Sequence, residues 1–168
     1  MAGAVVWRIA QRPHALDRAG IGARDNGGRW NRPSTAVIYA GRTVSIAALE
    51  RFVHLAAVVP RNLILVRIEL PENCSVEEPA LADLPAGWNA VPIRPTSMDF
   101  GTTWAQERRS LVLYVPSALI PEEGNAVLNP NHPEFATVGM SIQRDFQYDP
   151  RIYVSRTAPA PPSRVSGS

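Results

Sequence analysis

Proline is the sequence feature that most limits what this chain can fold into. Sixteen prolines are spread along 168 residues. Because proline lacks a backbone N–H donor and restricts the residue before it, each proline tends to end a helix or to exclude a central strand position. Their spacing predicts many short elements rather than a few long helices. The length is that of a single domain of ordinary size.

The apolar pattern predicts an α+β domain with a core of short strands in a mixed sheet and two main helices. Predicted strands span residues 5–10, 36–41, 62–70, 111–115, 125–129 and 140–146, and predicted helices span 43–57 and 97–109. A glycine-rich turn is expected at 20–28, a loop at 71–95 and one helical turn at 132–137. The segment 157–168, TAPAPPSRVSGS, lacks core residues, so we expect a domain over 1–156 and a flexible tail.

The basic residues exclude several mechanisms. All 17 are arginine, so lysine-dependent chemistry such as Schiff bases and the phosphate-loop lysine is absent. The formal charge of +2 does not suggest a protein that coats nucleic acid. An enzyme acting on RNA would need a basic groove with catalytic histidine or lysine, and the three histidines are scattered.

Cysteine and histidine also limit the chemistry. The one cysteine, Cys74, permits no intrachain disulfide and no CxxC motif. Together with the scattered histidines it cannot build a zinc site, so the sequence predicts no metal. No apolar run approaches the length needed to span a bilayer, and no secretory signal is visible. We therefore expect a cytoplasmic protein.

Three segments carry polar residues that a purely structural segment would not need. Arg29 follows a pair of glycines, where a guanidinium can bind phosphate or carboxylate. Glu50 lies at the edge of the apolar stripe of the 43–57 helix, eleven residues after Tyr39. Ser117 directly follows a core strand. Each segment also fits an ordinary structural role: a turn, a helix border or a cap.

Taken together and in order, these segments resemble the RES domain family. The resemblance rests on five segments: Gly28-Arg29-Trp30-Asn31, Val37-Ile38-Tyr39-Ala40, Ala48-Leu49-Glu50, Val115-Pro116-Ser117 and the stretch from Asn125 to Phe135. It extends from Trp7-Arg8-Ile9 to about Asp149-Pro150-Arg151. The stretch Asn125 to Phe135 is its most specific part. The arginine, glutamate and serine for which the family is named correspond to Arg29, Glu50 and Ser117.

The resemblance implies an activity. RES proteins are toxins of bacterial type II toxin–antitoxin pairs, with a fold related to ADP-ribosyltransferases, and they use NAD as substrate without a permanently bound cofactor. They deplete NAD by hydrolysis or phosphorolysis, or transfer ADP-ribose to a protein. The alternatives from other classes are a toxin acting on RNA and a non-catalytic binding module. The implied catalytic residues are Arg29, Glu50 and Ser117, and Asn129 is an additional candidate for contact with NAD.

The chemistry of NAD cleavage suggests a role for each candidate. A carboxylate, Glu50, would stabilise an oxocarbenium-like transition state, and Arg29 would hold the anionic part of NAD, with Arg42 or Arg51 as a helper. Tyr39 could stack on nicotinamide. Ser117 could hydrogen-bond the ribose or a phosphate without being a nucleophile.

The resemblance also implies a partner. The cognate antitoxin is a helix-turn-helix protein of the Cro-repressor class whose C-terminal domain covers the active site. A protein acceptor is possible, whereas direct contact with nucleic acid or membrane is not expected. Five arginines are expected to surround the entrance, where they attract the dinucleotide or the antitoxin, or form a solvated surface: Arg18, Arg24, Arg32, Arg42 and Arg51.

Overall fold

A seven-stranded sheet forms the centre of the part of the chain that the structure describes, residues 3–55 and 60–154 of a computed structural model. The strands are β1 Val5–Gln11, β2 Ile38–Gly41, β3 Leu63–Glu69, β4 Val76–Glu77, β5 Val112–Pro116, β6 Gly124–Leu128 and β7 Gly139–Phe146. Their order across the sheet is β4-β5-β6-β2-β1-β3-β7. The β4–β5 pair is parallel and the other pairs are antiparallel, so the sheet is mixed.

The described helices are short, as the prolines predict. They are α1 Ile21–Asn26, α2 Val44–Val53, α3 Pro95–Gln106 and α4 Arg151–Val154, with 3₁₀ turns at Arg12–His14, Leu81–Asp83 and Pro133–Thr137. The side chain of Thr43 caps α2 by accepting a hydrogen bond from the backbone N–H of Ile46. Pro95 begins α3, where its missing N–H costs nothing.

The sheet is joined at its middle by a narrow contact. β1 pairs with β3 from Val5 to Gln11, whereas β1 and β2 share only the pair Trp7 and Gly41. Gly41 allows α2 to approach closely, because a Cβ at this position would lie 2.6 Å from the backbone nitrogen of Ala47. The sheet therefore consists of two half-sheets, and α2 lies over the place where they meet.

Side chains that alternate along the strands form a core on each face of the sheet. One face packs Ile9, Leu63 and Leu65 against Phe52 of α2, and packs Val127 against Trp104 of α3. The other face is covered by the 3₁₀ turn Pro133–Thr137 and neighbouring loops. Both faces of β3 are buried over most of its length, as expected for a strand with near-continuous apolar sequence.

The predicted fold class is confirmed, with two main helices, α2 and α3, and a mixed sheet. All six predicted strands are present within one or two residues of their predicted bounds. The helical turn predicted at 132–137 is the 3₁₀ turn Pro133–Thr137. Residues 157–168 lie outside the described residues, so the predicted tail stays a prediction, as does the domain boundary.

Four details of the prediction were wrong. The expected turn at 20–28 contains α1, because the Asp17 carboxylate accepts a hydrogen bond from the N–H of Ile21 at 2.7 Å and fixes the first turn. The expected loop at 71–95 contains β4 and a 3₁₀ turn, and α4 was not predicted. The predicted 43–57 helix ends at Val53, with His54 as its cap, and residues 56–57 are outside the described residues.

Two glycine substitutions test the packing of α3. Gly101→Ala places a Cβ against the carbonyl oxygen of Trp30, a backbone atom that cannot move aside. We expect a loss of about 1–3 kcal/mol or more in the free energy of unfolding, measured by urea titration. Gly22→Ala is the control: its Cβ meets nothing within 4 Å, and alanine should stabilise α1 by about 0.5–1 kcal/mol. Equal effects at the two positions would contradict this account of the packing.

Candidate active site

Glu50 is the centre of a hydrogen-bonded cluster that joins α2 to β5 and β6. Its Oε1 atom accepts a hydrogen bond from Ser117 Oγ at 2.8 Å and another from Asn125 Nδ2 at 2.6 Å. Within the described chain, no residue donates to the other carboxylate oxygen, Oε2. Two donors on one oxygen fix the orientation of the half-buried carboxylate and leave the second oxygen available to a ligand.

Ser117 has no capacity left for other partners. Its side chain is buried, and while it donates its proton to Glu50 its Oγ accepts from the backbone N–H groups of Leu119 at 3.1 Å and Ile120 at 3.3 Å. A hydroxyl has one proton and two lone pairs, and all three are used. These three hydrogen bonds hold Ser117 against Glu50 and leave its hydroxyl no free proton or lone pair in this arrangement.

Asn125 is the member of the cluster that our sequence analysis did not select. It lies on β6, opposite Gly41 on β2 and Val115 on β5, so its side chain emerges on the face of the sheet that carries α2. The sequence did contain a signal for Asn125, because this polar residue directly precedes three apolar residues of the same strand, all of which are buried. The sequence cannot show, however, that the strand places this amide beside a glutamate 75 residues away.

Arg29 lies within electrostatic range of Glu50. Its Nη1 donates to the carbonyl oxygens of Trp88 at 2.8 Å and Ala90 at 3.0 Å, which holds the guanidinium against the loop before α3. Burial lowers the pKa of Arg29, while the charges of Glu50 and Tyr39 act in the opposite direction. Trp88 in turn stacks on Trp30 with ring centroids 6.1 Å apart, so aromatic packing supports the loop.

Tyr39 holds the segment that carries Arg29. Its hydroxyl donates to Asn31 Oδ1 at 2.7 Å and accepts from the backbone N–H of Trp30 at 3.0 Å. Gly28 permits this approach, because a Cβ there would lie 2.7 Å from the tyrosine oxygen. Burial raises the pKa of Tyr39, with the Trp30 hydrogen bond and the charge of Arg29 acting in the opposite direction. The ring is half-buried, and its hydroxyl has a structural task.

The structure does not bring the other two predicted NAD contacts to Glu50. Arg42 lies on the opposite face of the sheet, where its guanidinium stacks on Tyr114 at 3.8 Å and pairs with Glu78 at 2.8 Å. Asn129 is at the far end of β6 from Asn125, about 13 Å along the strand. It is buried and donates to the carbonyl of Ala105 at 2.8 Å, which fixes α3 on the sheet.

The arginines expected around the entrance have separate partners. Arg24 pairs with Asp25, Arg32 pairs with Asp99, and Arg18 donates to two backbone carbonyls. Arg51, the residue after Glu50, differs from these because its Nε is buried and has no hydrogen-bond partner among the described residues.

A half-buried arginine on β1, Arg8, lies within electrostatic range of Arg51. Burial lowers the pKa of Arg8; the charge of Asp17 acts in the opposite direction, and the charge of Arg51 adds to the lowering. In the sequence, Arg8 was given no role beyond its place in Trp7-Arg8-Ile9, where the family resemblance begins.

The described residues contain neither a metal-binding cluster nor a helix able to span a membrane. Within residues 3–55 and 60–154, no three His, Cys, Asp or Glu side chains are grouped so that they could hold a metal ion. In the same part of the chain, each helix is too short or too polar to cross a bilayer.

Comparison with known proteins identifies the family. Residues 5–149 match the RES domain. The chain is 41% identical over 152 residues to the Prs ADP-ribosylating toxin of Sphingobium sp. strain YBL2, a match that covers 87% of this chain and 94% of that protein. It is 39% identical over 152 residues to Toxin Res of Yersinia enterocolitica, covering 88% of this chain and 99% of that protein. The chain belongs to the RES domain family.

A solved structure supports the fold of this RES domain. The toxin–antitoxin complex MbcT–MbcA of M. tuberculosis contains a chain that superimposes with a TM-score of 0.65 at 17% identity. The superposition covers 91% of this chain and 87% of that chain. At this identity the likeness concerns the fold, and it confirms the predicted architecture.

Replacing Tyr39 with phenylalanine tests the hydrogen bonds that hold the Arg29 segment. Tyr39→Phe leaves the N–H of Trp30 and the amide oxygen of Asn31 without this partner, so we expect a loss of about 1–3 kcal/mol in the free energy of unfolding by urea titration.

The same variant has a pH signature. The unfolded phenol ionises near its ordinary pKa of 10.0, whereas the folded phenol has a raised pKa and keeps its proton, so wild-type stability falls as the pH rises above that value. Titrations at about pH 9 and about pH 11 should show a smaller fall for Tyr39→Phe. An identical fall in both proteins would contradict the burial of this hydroxyl.

Proposed function

We propose that this RES domain is the toxin of a toxin–antitoxin pair and that it cleaves the bond between nicotinamide and ribose in NAD. The observation that carries the proposal is the Glu50 carboxylate, fixed through Oε1 by Ser117 and Asn125, with Oε2 left for substrate. The names of the relatives support it, since one is called an ADP-ribosylating toxin and another Toxin Res.

The chemistry requires an anion beside the ribose. As the bond to nicotinamide breaks, its electron pair leaves with the ring and positive charge develops on the ribose, as in glycoside hydrolysis. A carboxylate already held in place stabilises that charge without reorganising. Glu50 Oε2 is suited to this task and to accepting a hydrogen bond from a ribose hydroxyl. In this scheme Ser117 and Asn125 act through Glu50, so they are positioning residues.

Arginine provides the contact with the diphosphate. Arg29 keeps Nε and Nη2 for a ligand, because the carbonyls of Trp88 and Ala90 occupy only Nη1. Arg51 is a better helper than Arg42: its Nε is buried and unpaired among the described residues, whereas Arg42 is paired on the other face of the sheet. The half-buried ring of Tyr39 is available to stack on nicotinamide.

The acceptor of the ADP-ribosyl group decides the biological outcome. Water gives hydrolysis and phosphate gives phosphorolysis, and either reaction depletes NAD. Transfer to a protein is the second candidate function, favoured by the relative that is named for ADP-ribosylation. For the partner, the neighbouring structure was solved as a toxin–antitoxin complex, and we extend an antitoxin partner of the helix-turn-helix class to this chain as part of the proposal.

Glu50→Gln tests the charge at the proposed site. Glutamine keeps the shape and can still accept from Ser117, but it cannot stabilise a cation. We expect kcat for nicotinamide release to fall about 10²-fold or more, with KM for NAD nearly unchanged. The exposed Glu107→Gln is the matched control and should keep wild-type kinetics. NAD consumption by Glu50→Gln at the wild-type rate would remove Glu50 from the mechanism.

Arg29→Ala tests the contact with the diphosphate. Loss of the guanidinium should weaken NAD binding and also slow turnover, because a misplaced substrate reacts poorly. Equilibrium binding of NAD can be measured in the Glu50→Gln background, where turnover is slow. The exposed Arg144→Ala serves as control. Unchanged affinity for NAD in the Arg29→Ala protein would exclude the proposed contact.

A further inference from the structure

A groove lies beside the catalytic cluster but opens on the other face of the sheet. It has a volume of about 180 Å³ and runs between the β5–β6 hairpin and the segment 78–81. Pro116, Pro121 and Glu122 line the hairpin side, and Glu78 and Leu81 line the other. Pockets for drug-sized ligands are about 300–1,000 Å³, so this groove suits one or two side chains of a larger partner.

The strand register places the groove and Glu50 on opposite faces. Asn125, which binds Glu50, pairs with Val115, whereas the groove residues Pro116 and Gly124 are the neighbouring pair and point the other way. A partner seated in the groove would therefore leave the space beside Glu50 Oε2 and Arg29 open. A partner that blocks NAD binding has to cover that space. A partner that accepts ADP-ribose has to leave it free, because NAD must be bound at the same time.

The hairpin connects the groove to the catalytic carboxylate. It is closed by a hydrogen bond of 2.8 Å from the N–H of Ser117 to the carbonyl of Glu123. Ser117 Oγ accepts from the N–H groups of Leu119 and Ile120 and donates to Glu50. The residues that line one side of the groove thus belong to the same hairpin as Ser117, so a partner in the groove lies one loop away from the space beside Glu50.

The surface of the groove combines aliphatic side chains with acidic ones. Leu81, which lines the groove, is 62% exposed, and Leu119 and Ile120, which lie outside the groove lining on the neighbouring hairpin loop, are 41% and 40% exposed. Three glutamates line the groove, of which Glu78 is paired with Arg42, while Glu122 and Glu123 form no ion pair with any described residue. Exposed aliphatic groups on a rigid loop next to a site are typical of a protein contact, and the net negative charge favours a basic partner.

We infer that this groove seats the protein acceptor of ADP-ribose, through a segment that carries lysine or arginine beside aliphatic side chains. The inference rests on the proposed cleavage of NAD. In the transfer, a nucleophilic N–H or O–H group of the acceptor forms a bond to C1′ of the ribose. The bond from C1′ to nicotinamide breaks, its electron pair leaves with nicotinamide, and the proton of the acceptor passes to water, directly or through Glu50.

A double variant separates transfer from cleavage. Leu81→Ser with Glu122→Arg changes both lips of the groove and touches no residue of the Glu50 cluster. The matched control is Ile142→Ser with Glu107→Arg, where Ile142 is 46% exposed on β7 at the far edge of the sheet. Both proteins are compared with wild type by thermal midpoint, and Glu122→Arg alone serves as the test if the double variant is unstable.

Two readouts are taken from each protein. Nicotinamide release from NAD in buffer measures cleavage with water, and labelling of proteins in a bacterial lysate with biotinylated NAD measures transfer. We expect the groove variant to release nicotinamide at the wild-type rate and to label protein about tenfold less, with no change in the control. Poly-L-lysine should compete with labelling by wild type, poly-L-glutamate should not, and Glu122→Arg should abolish the effect of poly-L-lysine.

Several results would overturn the inference. Undiminished labelling by the groove variant would show that the acceptor docks elsewhere. Wild-type protein that releases nicotinamide but labels no protein would be a hydrolase without an acceptor site. A variant that labels normally but escapes silencing by a co-expressed antitoxin would assign the groove to the antitoxin. Wild-type protein that releases no nicotinamide at all would instead refute the proposed function, which makes the two failures distinguishable.

Discussion

The hydrogen bonds of Ser117 and Asn125 to one oxygen of Glu50 are the interaction on which the candidate site depends. They join a helix to a hairpin across 67 and 75 residues of sequence. A half-buried carboxylate loses part of its hydration, and these two donors replace it. Since both act on Oε1, the direction of Oε2 is determined as well. The direction in which Glu50 Oε2 points is thus a consequence of how α2 packs on β5 and β6.

The position of α2 depends in turn on close backbone approaches. Gly41 leaves space for the backbone of Ala47, so the helix lies directly over the junction of the two half-sheets. On the other side of the site, the Tyr39 hydroxyl anchors Trp30 and Asn31, and carbonyls of the loop at Trp88 hold Arg29. The carboxylate of Glu50 and the guanidinium of Arg29 are therefore held in place by different parts of the structure.

Pattern reasoning predicted the elements whose stability is local. Alternating or continuous apolar residues identified β1, β3 and β5, and Thr43 with its apolar stripe identified α2. The same reasoning missed α1, because its glycines favour a turn in the sequence pattern. The hydrogen bond that fixes the first turn of α1 comes from Asp17, which lies outside the helix. Pattern reasoning also missed β4, two residues long, which exists only because β5 lies alongside to pair with it. Elements that are stabilised by residues outside themselves are difficult to predict from their own sequence.

For the candidate site, the sequence determined which residue types are present, and the tertiary structure decided which of them come together. The order of Arg29, Tyr39, Glu50 and Ser117 along the chain indicated the RES domain, because a motif of residue types can be recognised in a sequence without its structure. Only the folded chain brings Asn125 to Glu50 and puts Arg42 on the opposite face, since strand register and the alternation of side chains assign each residue to one face. That alternation also separates the proposed acceptor groove from the proposed NAD site, a division that depends on the paired strands rather than on any motif.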